Sequence, residues 1–196
     1  PLPSNVRGID GSPIHAYARE RRILLRFSEY PRPLINAFLS AEDKTFFSHH
    51  GLDLGGTAAA VFDYVTKMGT GQRARGGSTI TQQLAKFTFL TPKRTLGRKA
   101  REAMIAFWLE AWLSKDEILE RYLSNAYFGD NTYGLRAASL HYFHRQPEKL
   151  TEGQAAMLAG LMQAPSRYAP SKHFERASKR MRVVLQAMAD AGYMTP

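Results

Sequence analysis

From residue 31 onward the apolar side chains recur at helical spacing in segment after segment, and only the opening of the chain reads as strand. Val6 to Ile9, a turn at Asp10-Gly11-Ser12, and Ile14 to Tyr17 predict one small hairpin. Pro31 and Pro33 then open a short helix through Leu34, Ile35, Ala37 and Phe38. Leu54 to Met68 places Leu54, Ala58, Val61, Phe62, Val65 and Met68 on one face. Ala103 to Leu113 is apolar nearly all round apart from Glu110, which predicts a helix through the middle of the domain. Ser114-Lys115-Asp116-Glu117 and Thr151-Glu152-Gly153-Gln154 are capping boxes, each opening a further helix. Helices are also predicted from about Tyr133 to His144 and from about His173 to Ala191. The last of these turns Phe174, Ala177, Met181, Val184, Leu185 and Met188 inward and stops at Gly192. The fold class expected is mainly α, with one short N-terminal hairpin.

At 196 residues and 44% hydrophobic, the chain can bury a sizeable core as a single domain. A net charge of +10 points to an anionic partner: nucleic acid, an acidic membrane surface or a phosphorylated substrate. There is no cysteine, which removes disulfides and thiolate metal sites. No apolar run reaches the roughly 18 residues of a membrane span. The chain starts at Pro1 without an initiator Met and stops abruptly at Pro196, so it is expected to be a piece of a longer protein.

Three stretches carry chemistry. The first is Gly76-Gly77-Ser78-Thr79-Ile80-Thr81-Gln82-Gln83-Leu84-Ala85-Lys86. With Ser78 as N-cap, Thr79, Gln82, Gln83 and Lys86 share a polar stripe, and Ile80, Leu84 and Phe87 share an apolar one. Free backbone N–H groups at the helix start suit phosphate or other oxygen-rich ligands. Taken alone, this is also what an ordinary capped surface helix looks like. The glycine-rich run before it, with Arg73 and Arg75, predicts a mobile basic loop.

The second stretch is Ala41-Glu42-Asp43-Lys44-Thr45-Phe46-Phe47-Ser48-His49-His50-Gly51, at the C-terminal end of the helix begun at Pro31. A carboxylate there meets the negative end of the helix dipole, which raises its pKa toward that of a useful base. A solvated acidic turn paired with Lys44 is the plainer reading. Adjacent His49 and His50 lack ligand spacing, so a zinc site is not expected. The third stretch, Thr91 to Glu102, has five cations before Glu102, which enters the apolar face of Ile105, Ala106 and Leu109. An intrahelical ion pair with Arg98 or Lys99 explains it equally well.

Taken together, these stretches resemble the family 51 glycosyltransferases, the peptidoglycan transglycosylase domains of class A penicillin-binding proteins and of monofunctional transglycosylases. Glu42 to Gly51 resembles the family's first motif, Gly76 to Lys86 the second, and Arg98-Lys99-Ala100-Arg101-Glu102 the third. Lys115 to Gly129 resembles the fourth, and Leu158 to Pro170, with Gln163-Ala164-Pro165-Ser166, the fifth. Ser124 stands where the family usually has Asn, and Gln154 where it often has Glu.

The resemblance implies a lysozyme-like helical fold over 1–196, with a head lobe, a hairpin segment over about 1–30 and a smaller membrane-proximal jaw over about 52–75. It implies polymerisation of lipid II with inversion at the anomeric carbon and release of undecaprenyl pyrophosphate. Glu42 would be the catalytic base, and Glu102 the second essential carboxylate. Lys86, Arg94, Arg98 and Lys99 would receive the pyrophosphate, and Asp43, Phe46, His49, Ser78, Thr79, Gln82, Gln83 and Ser166 would contact substrate. No cofactor is required; Mg2+ or Mn2+ near Glu102 is the one metal suggested.

Implied partners are lipid II, the growing glycan strand, the membrane surface, a fused transpeptidase domain and other cell-wall proteins, but not nucleic acid. The location implied is the extracytoplasmic face of the bacterial cytoplasmic membrane, through an anchor outside this chain, with moenomycin as an inhibitor of the donor site. The competing readings are a lysozyme-like glycan-cleaving enzyme and a non-catalytic basic helical binding domain.

Overall fold

The structure is a computed structural model that describes residues 4–7, 13–17, 26–67, 77–90 and 96–195. Two strands, β1 (Ser4–Arg7) and β2 (Pro13–Tyr17), pair antiparallel with Ser4 opposite Tyr17 and a register irregularity between Val6 and Arg7. The pairing begins two residues earlier than the alternation predicts, and the expected turn at Asp10-Gly11-Ser12 lies outside the described residues.

All other regular structure among the described residues is helical. The helices are α1 (Arg32–Glu42), α2 (Leu54–Lys67), α3 (Ile80–Phe89), α4 (Leu96–Trp112), α5 (Lys115–Asn125), α6 (Leu135–Phe143), α7 (Glu152–Leu161), α8 (Pro165–Tyr168) and α9 (Pro170–Asp190). Short 3-10 turns at Phe27–Glu29 and Pro147–Lys149 precede α1 and α7. The mainly helical class is as predicted, and both capping boxes form: Ser114 accepts from the Glu117 N–H and Thr151 from the Gln154 N–H. No helix of the described residues is long and apolar enough to cross a membrane.

The middle of the domain is α7 rather than α4. Every residue from Ala155 to Leu161 is buried, and α1 and α9 pack along its sides. Alanine and glycine occupy four of those seven positions, so the neighbouring helices approach closely without a large side chain intervening. On α4 only one stripe is covered: Glu102, Ala106 and Leu109 are buried, whereas Met104, Phe107, Trp108 and Trp112 are exposed. The apolar composition that predicted a central helix serves a helix with one apolar face open. The apolar face of α2 is also uncovered at Leu54, Phe62 and Val65.

Two further expectations change at the end of the chain. Helix α9 starts at Pro170 and carries non-helical backbone at His173 (φ −138°, ψ 52°), which marks a kink near its start. Beyond it Ala177, Val184 and Met188 face the core, but Phe174 is exposed. Gly192, in the left-handed region at φ +74°, ends the run, and the Tyr193 N–H closes on the Met188 carbonyl.

Candidate active site

Helix α1 ends on Glu42, as its two prolines and apolar spacing predict, and the candidate site is assembled around that end. Gln83 Nε2 donates to Glu42 Oε2 at 2.9 Å, and Gln83 Oε1 accepts from the Tyr122 hydroxyl at 3.3 Å. Tyr122 is wholly buried, and burial raises its pKa well above the ordinary value, so it is a fixed neutral donor. The Gln83 amide is thereby oriented with its N–H toward the carboxylate. Burial pushes the Glu42 carboxyl up to about 7, against the opposing effects of the Gln83 bond and the charges of Arg180 and Lys86. The raised value matches the sequence expectation, but its cause is desolvation rather than the helix dipole.

The next residue is committed elsewhere. Asp43 is buried; its Oδ2 accepts from the Ile80 N–H at 2.9 Å and lies 2.9 Å from His49 Nε2. His49 Nδ1 accepts from the Gly51 N–H at 3.1 Å, so the proton sits on Nε2 and is donated to Asp43. Asp43 therefore fixes the N-terminus of α3 against the end of α1, which brings Gln83 to Glu42. The N-cap of α3 is Thr79 and not Ser78: its hydroxyl accepts from the Gln82 N–H, and Gln82 reciprocates to the Thr79 N–H. The same Thr79 hydroxyl donates to the Gly51 carbonyl at 2.6 Å.

Thr79 and Gln82, expected on an open polar stripe, are therefore buried in the cap. Phe46 is fully buried with Lys115 Nζ 4.5 Å from its ring centre. Asp43, Phe46, His49, Thr79 and Gln82 are all buried around the joint between α1 and α3.

The cationic side centres on Lys99. Its ammonium donates to Ser78 Oγ at 2.7 Å and to Glu102 Oε1 at 2.5 Å. Glu102 is buried while the Lys99 side chain is 46% exposed, so the carboxylate fixes from below an ammonium that still faces solvent. Arg98 is partly buried, and Lys86 is exposed on α3 with Nζ 5.5 Å from the Phe87 ring centre. Arg94 lies outside the described residues. Ser166 lines a separate cleft of about 560 Å³ with Tyr127, Asn131, His141 and Lys172.

A divalent ion of the magnesium class takes about six oxygen ligands, several of them carboxylate or carbonyl. Glu102 is already held by Lys99, and no group of three His, Asp or Glu converges among the described residues. This donor set does not fit such an ion.

Sequence reasoning missed a second buried network and two residues. Glu110 Oε1 accepts from Thr81 Oγ1 at 2.7 Å and Lys115 Nζ at 2.8 Å, and Lys115 also donates to the His49 carbonyl at 2.6 Å. This network ties α3 and α4 to the turn behind Glu42. The signal was present, because Glu110 is the one carboxylate in the apolar stretch of α4. Neither Tyr122 nor Arg180 breaks the pattern of its helix, so neither stands out in the sequence.

Comparison with known proteins is concordant along the chain. A transglycosylase family model matches residues 10–189. Penicillin-binding protein 1A of Escherichia coli (strain K12) is 41% identical over 194 residues, 99% of this chain and 22% of that protein. Penicillin-binding protein 1F of Bacillus subtilis (strain 168) is 40% identical over 186 residues, 95% of this chain and 26% of the relative. The chain thus spans about a quarter or less of the length of these relatives. A crystal structure of penicillin-binding protein 1A from Haemophilus influenzae superposes with a TM-score of 0.51 at 24% identity, over 99% of this chain and 19% of that one.

Proposed function

The chain belongs to the transglycosylase family, and from that membership we propose that it is a peptidoglycan glycosyltransferase polymerising lipid II. The observation that carries the proposal is a carboxyl poised near neutrality, Glu42, oriented by Gln83 on a helix that leads to Lys86. The acceptor's N-acetylglucosamine 4-hydroxyl attacks C1 of the donor's N-acetylmuramic acid, with inversion. As the new C–O bond forms, Glu42 takes the hydroxyl proton, and the bond from C1 to the pyrophosphate oxygen breaks.

The leaving pyrophosphate gains negative charge, which the exposed ammonium groups of Lys86 and Lys99, with Arg94 and Arg98, would receive. Glu102 acts through Lys99 as a positioning residue. A lysozyme-like glycan-cleaving enzyme would use such a carboxyl as an acid, to protonate the leaving glycosidic oxygen, but has no use for these cations.

The open apolar face fits the same reading. Phe89 and Trp108 meet edge-on at 6.5 Å, which joins α3 to the exposed residues of α4. Gly51, at φ +94°, lies so close to the α4 backbone that a Cβ there would stand 3.2 Å from the Ala106 carbonyl carbon. This apolar surface on a domain of net charge +10 suits an anionic bilayer, where lipid-linked substrate resides. We assign it to the extracytoplasmic face of the bacterial cytoplasmic membrane, with about 52–75 as the membrane-side lobe and the growing glycan strand as the second substrate.

Incubation with labelled lipid II should give lengthening glycan products that moenomycin suppresses. Glu42→Gln should lower the rate by about 10²- to 10⁴-fold. Shortening of preformed glycan, or full activity in Glu42→Gln, would overturn the assignment.

A further inference from the structure

The cleft that Ser166 lines is walled by three separated segments: the turn after α5, the face of α6 and the junction of α8 with α9. In the turn the Thr132 N–H closes on the Gly129 carbonyl at 2.8 Å, and the two residues between, Asp130 and Asn131, lie in the left-handed region at φ +46° and +56°. Positive φ at both central positions is the pattern of a type I′ turn, which glycine adopts without strain and other residues do not. The chain nevertheless places two polar side chains there, both on the cleft. Neighbours fix the turn: a Cβ on Gly129 would stand 2.9 Å from the Pro165 carbonyl oxygen at the start of α8, and the Tyr142 hydroxyl on α6 donates to the Phe128 carbonyl at 2.8 Å.

Asp130 ties the three walls together. Its carboxylate accepts from the Ser171 hydroxyl and lies 3.3 Å from His141 Nε2 and 3.4 Å from Lys172 Nζ. The Ser171 bond leads in holding the Asp130 carboxyl below its ordinary value, so it stays ionised and offsets the Lys172 ammonium. The charges of the cleft thus cancel within it, while the Asn131 amide and the Ser166 hydroxyl, both exposed, offer donors and acceptors side by side. One wall is aromatic. Tyr127 is half-buried, with its ring centre 4.9 Å from that of Tyr133. A volume of about 560 Å³ is that of a small-ligand cleft. An anion would meet the Asp130 carboxylate, and an apolar ligand would strand the polar groups. A neutral ring with hydroxyls at its edge and C–H groups on its face satisfies both walls.

We propose that this cleft binds a saccharide, as a subsite for the glycan strand apart from Glu42; this rests on the reading of the chain as a glycan-making enzyme. A sugar ring lies on Tyr127 and its hydroxyls meet Asn131 and Ser166. The cleft is within reach of the reaction. Tyr122, whose hydroxyl donates to Gln83 beside Glu42, is five residues from Tyr127, so their Cα atoms are at most about 18 Å apart. A strand of several rings engaged at Glu42 can therefore extend to Tyr127, and a strand held there is kept between additions.

The probe is a soluble tetramer of N-acetylglucosamine, titrated into the substrate-free chain and followed by proton–nitrogen NMR. The Asn131 side-chain amide and the backbone around Tyr127 should shift. Asn131→Gly removes the amide and leaves a residue at ease with positive φ, so the fold is kept; it should weaken binding about two- to tenfold, the worth of one hydrogen bond. Tyr127→Leu, which removes the aromatic face, should weaken it at least as much, and both variants should make shorter strands from the same lipid II consumed. Affinity unchanged in both variants, shifts confined to residues around Gln83, or displacement of the tetramer by inorganic phosphate would overturn the proposal. Should Tyr127→Leu fail to fold, Asn131→Gly decides alone. Tetramer binding at the cleft of a chain that makes no glycan would keep the saccharide site and reject the proposed reaction; glycan synthesis without tetramer binding at the cleft would do the reverse.

Discussion

Glu42 is held in two incompatible demands: it must be buried enough to be a base near neutrality, and it must remain ionisable. Folding raises its carboxyl from an ordinary 4.5 to about 7. Its contribution to stability is therefore fully present below about 4.5 and is lost as pH rises through 7. Glu42→Gln should consequently be the more stable protein at pH 8, by at most about 3 kcal/mol, with the difference shrinking as pH falls from 7 toward 4.5. Thermal melts of the two proteins at pH 5 and pH 8 check this, and an equal difference at both would mean that Glu42 is not perturbed by folding.

Lys86 makes the opposite case. It is exposed, so Lys86→Ala should abolish polymerisation while leaving the melting temperature and the helical circular dichroism unchanged.

At the scale of elements, the setting of Glu42 depends on how the end of α1 is joined to the start of α3. Asp43 makes that joint by accepting from Ile80 N–H and His49. Asp43→Ala would leave two buried donors unsatisfied and should cost about 2 to 4 kcal/mol in denaturant unfolding, with loss of activity because Gln83 is no longer held against Glu42. The sequence made Glu42, Lys99 and Glu102 legible because each breaks a local pattern: a carboxylate closing an apolar helix, and an ion pair entering an apolar stripe. It placed both capping boxes correctly for the same reason.

The burial of Asp43, Thr79 and Gln82 was not legible, since a polar side chain turned inward to cap a helix has the same spacing as one turned outward to a ligand. The α4 helix illustrates the converse limit. Periodicity reports how apolar a helix is all round, not which side its neighbours cover, and the small residues that mark α7 as central carry little apolar weight individually.

The whole molecule combines a helical core around α7 with an open apolar surface on the end of α3 and on α4, joined at Phe89 and Trp108. Trp112 and Met104 are more than 70% exposed on this surface, beyond what a solvated face explains. Trp108→Ser with Trp112→Ser should leave folding intact and weaken cosedimentation with anionic vesicles severalfold. High salt should weaken the wild type as well, because the net charge of +10 acts alongside apolar contact. Unchanged vesicle binding in the double variant would move the membrane-facing surface elsewhere.

On the proposed reading Glu42, half-buried at the end of α1 and oriented by Gln83, removes the acceptor's proton. The most direct test is the pH dependence of lipid II polymerisation by the wild-type chain set beside Glu42→Gln. The rate should rise with pH through a midpoint near 7 and be nearly absent at every pH in the variant. A wild-type rate that is flat from pH 5 to 9, or a variant with the wild-type profile, would contradict it.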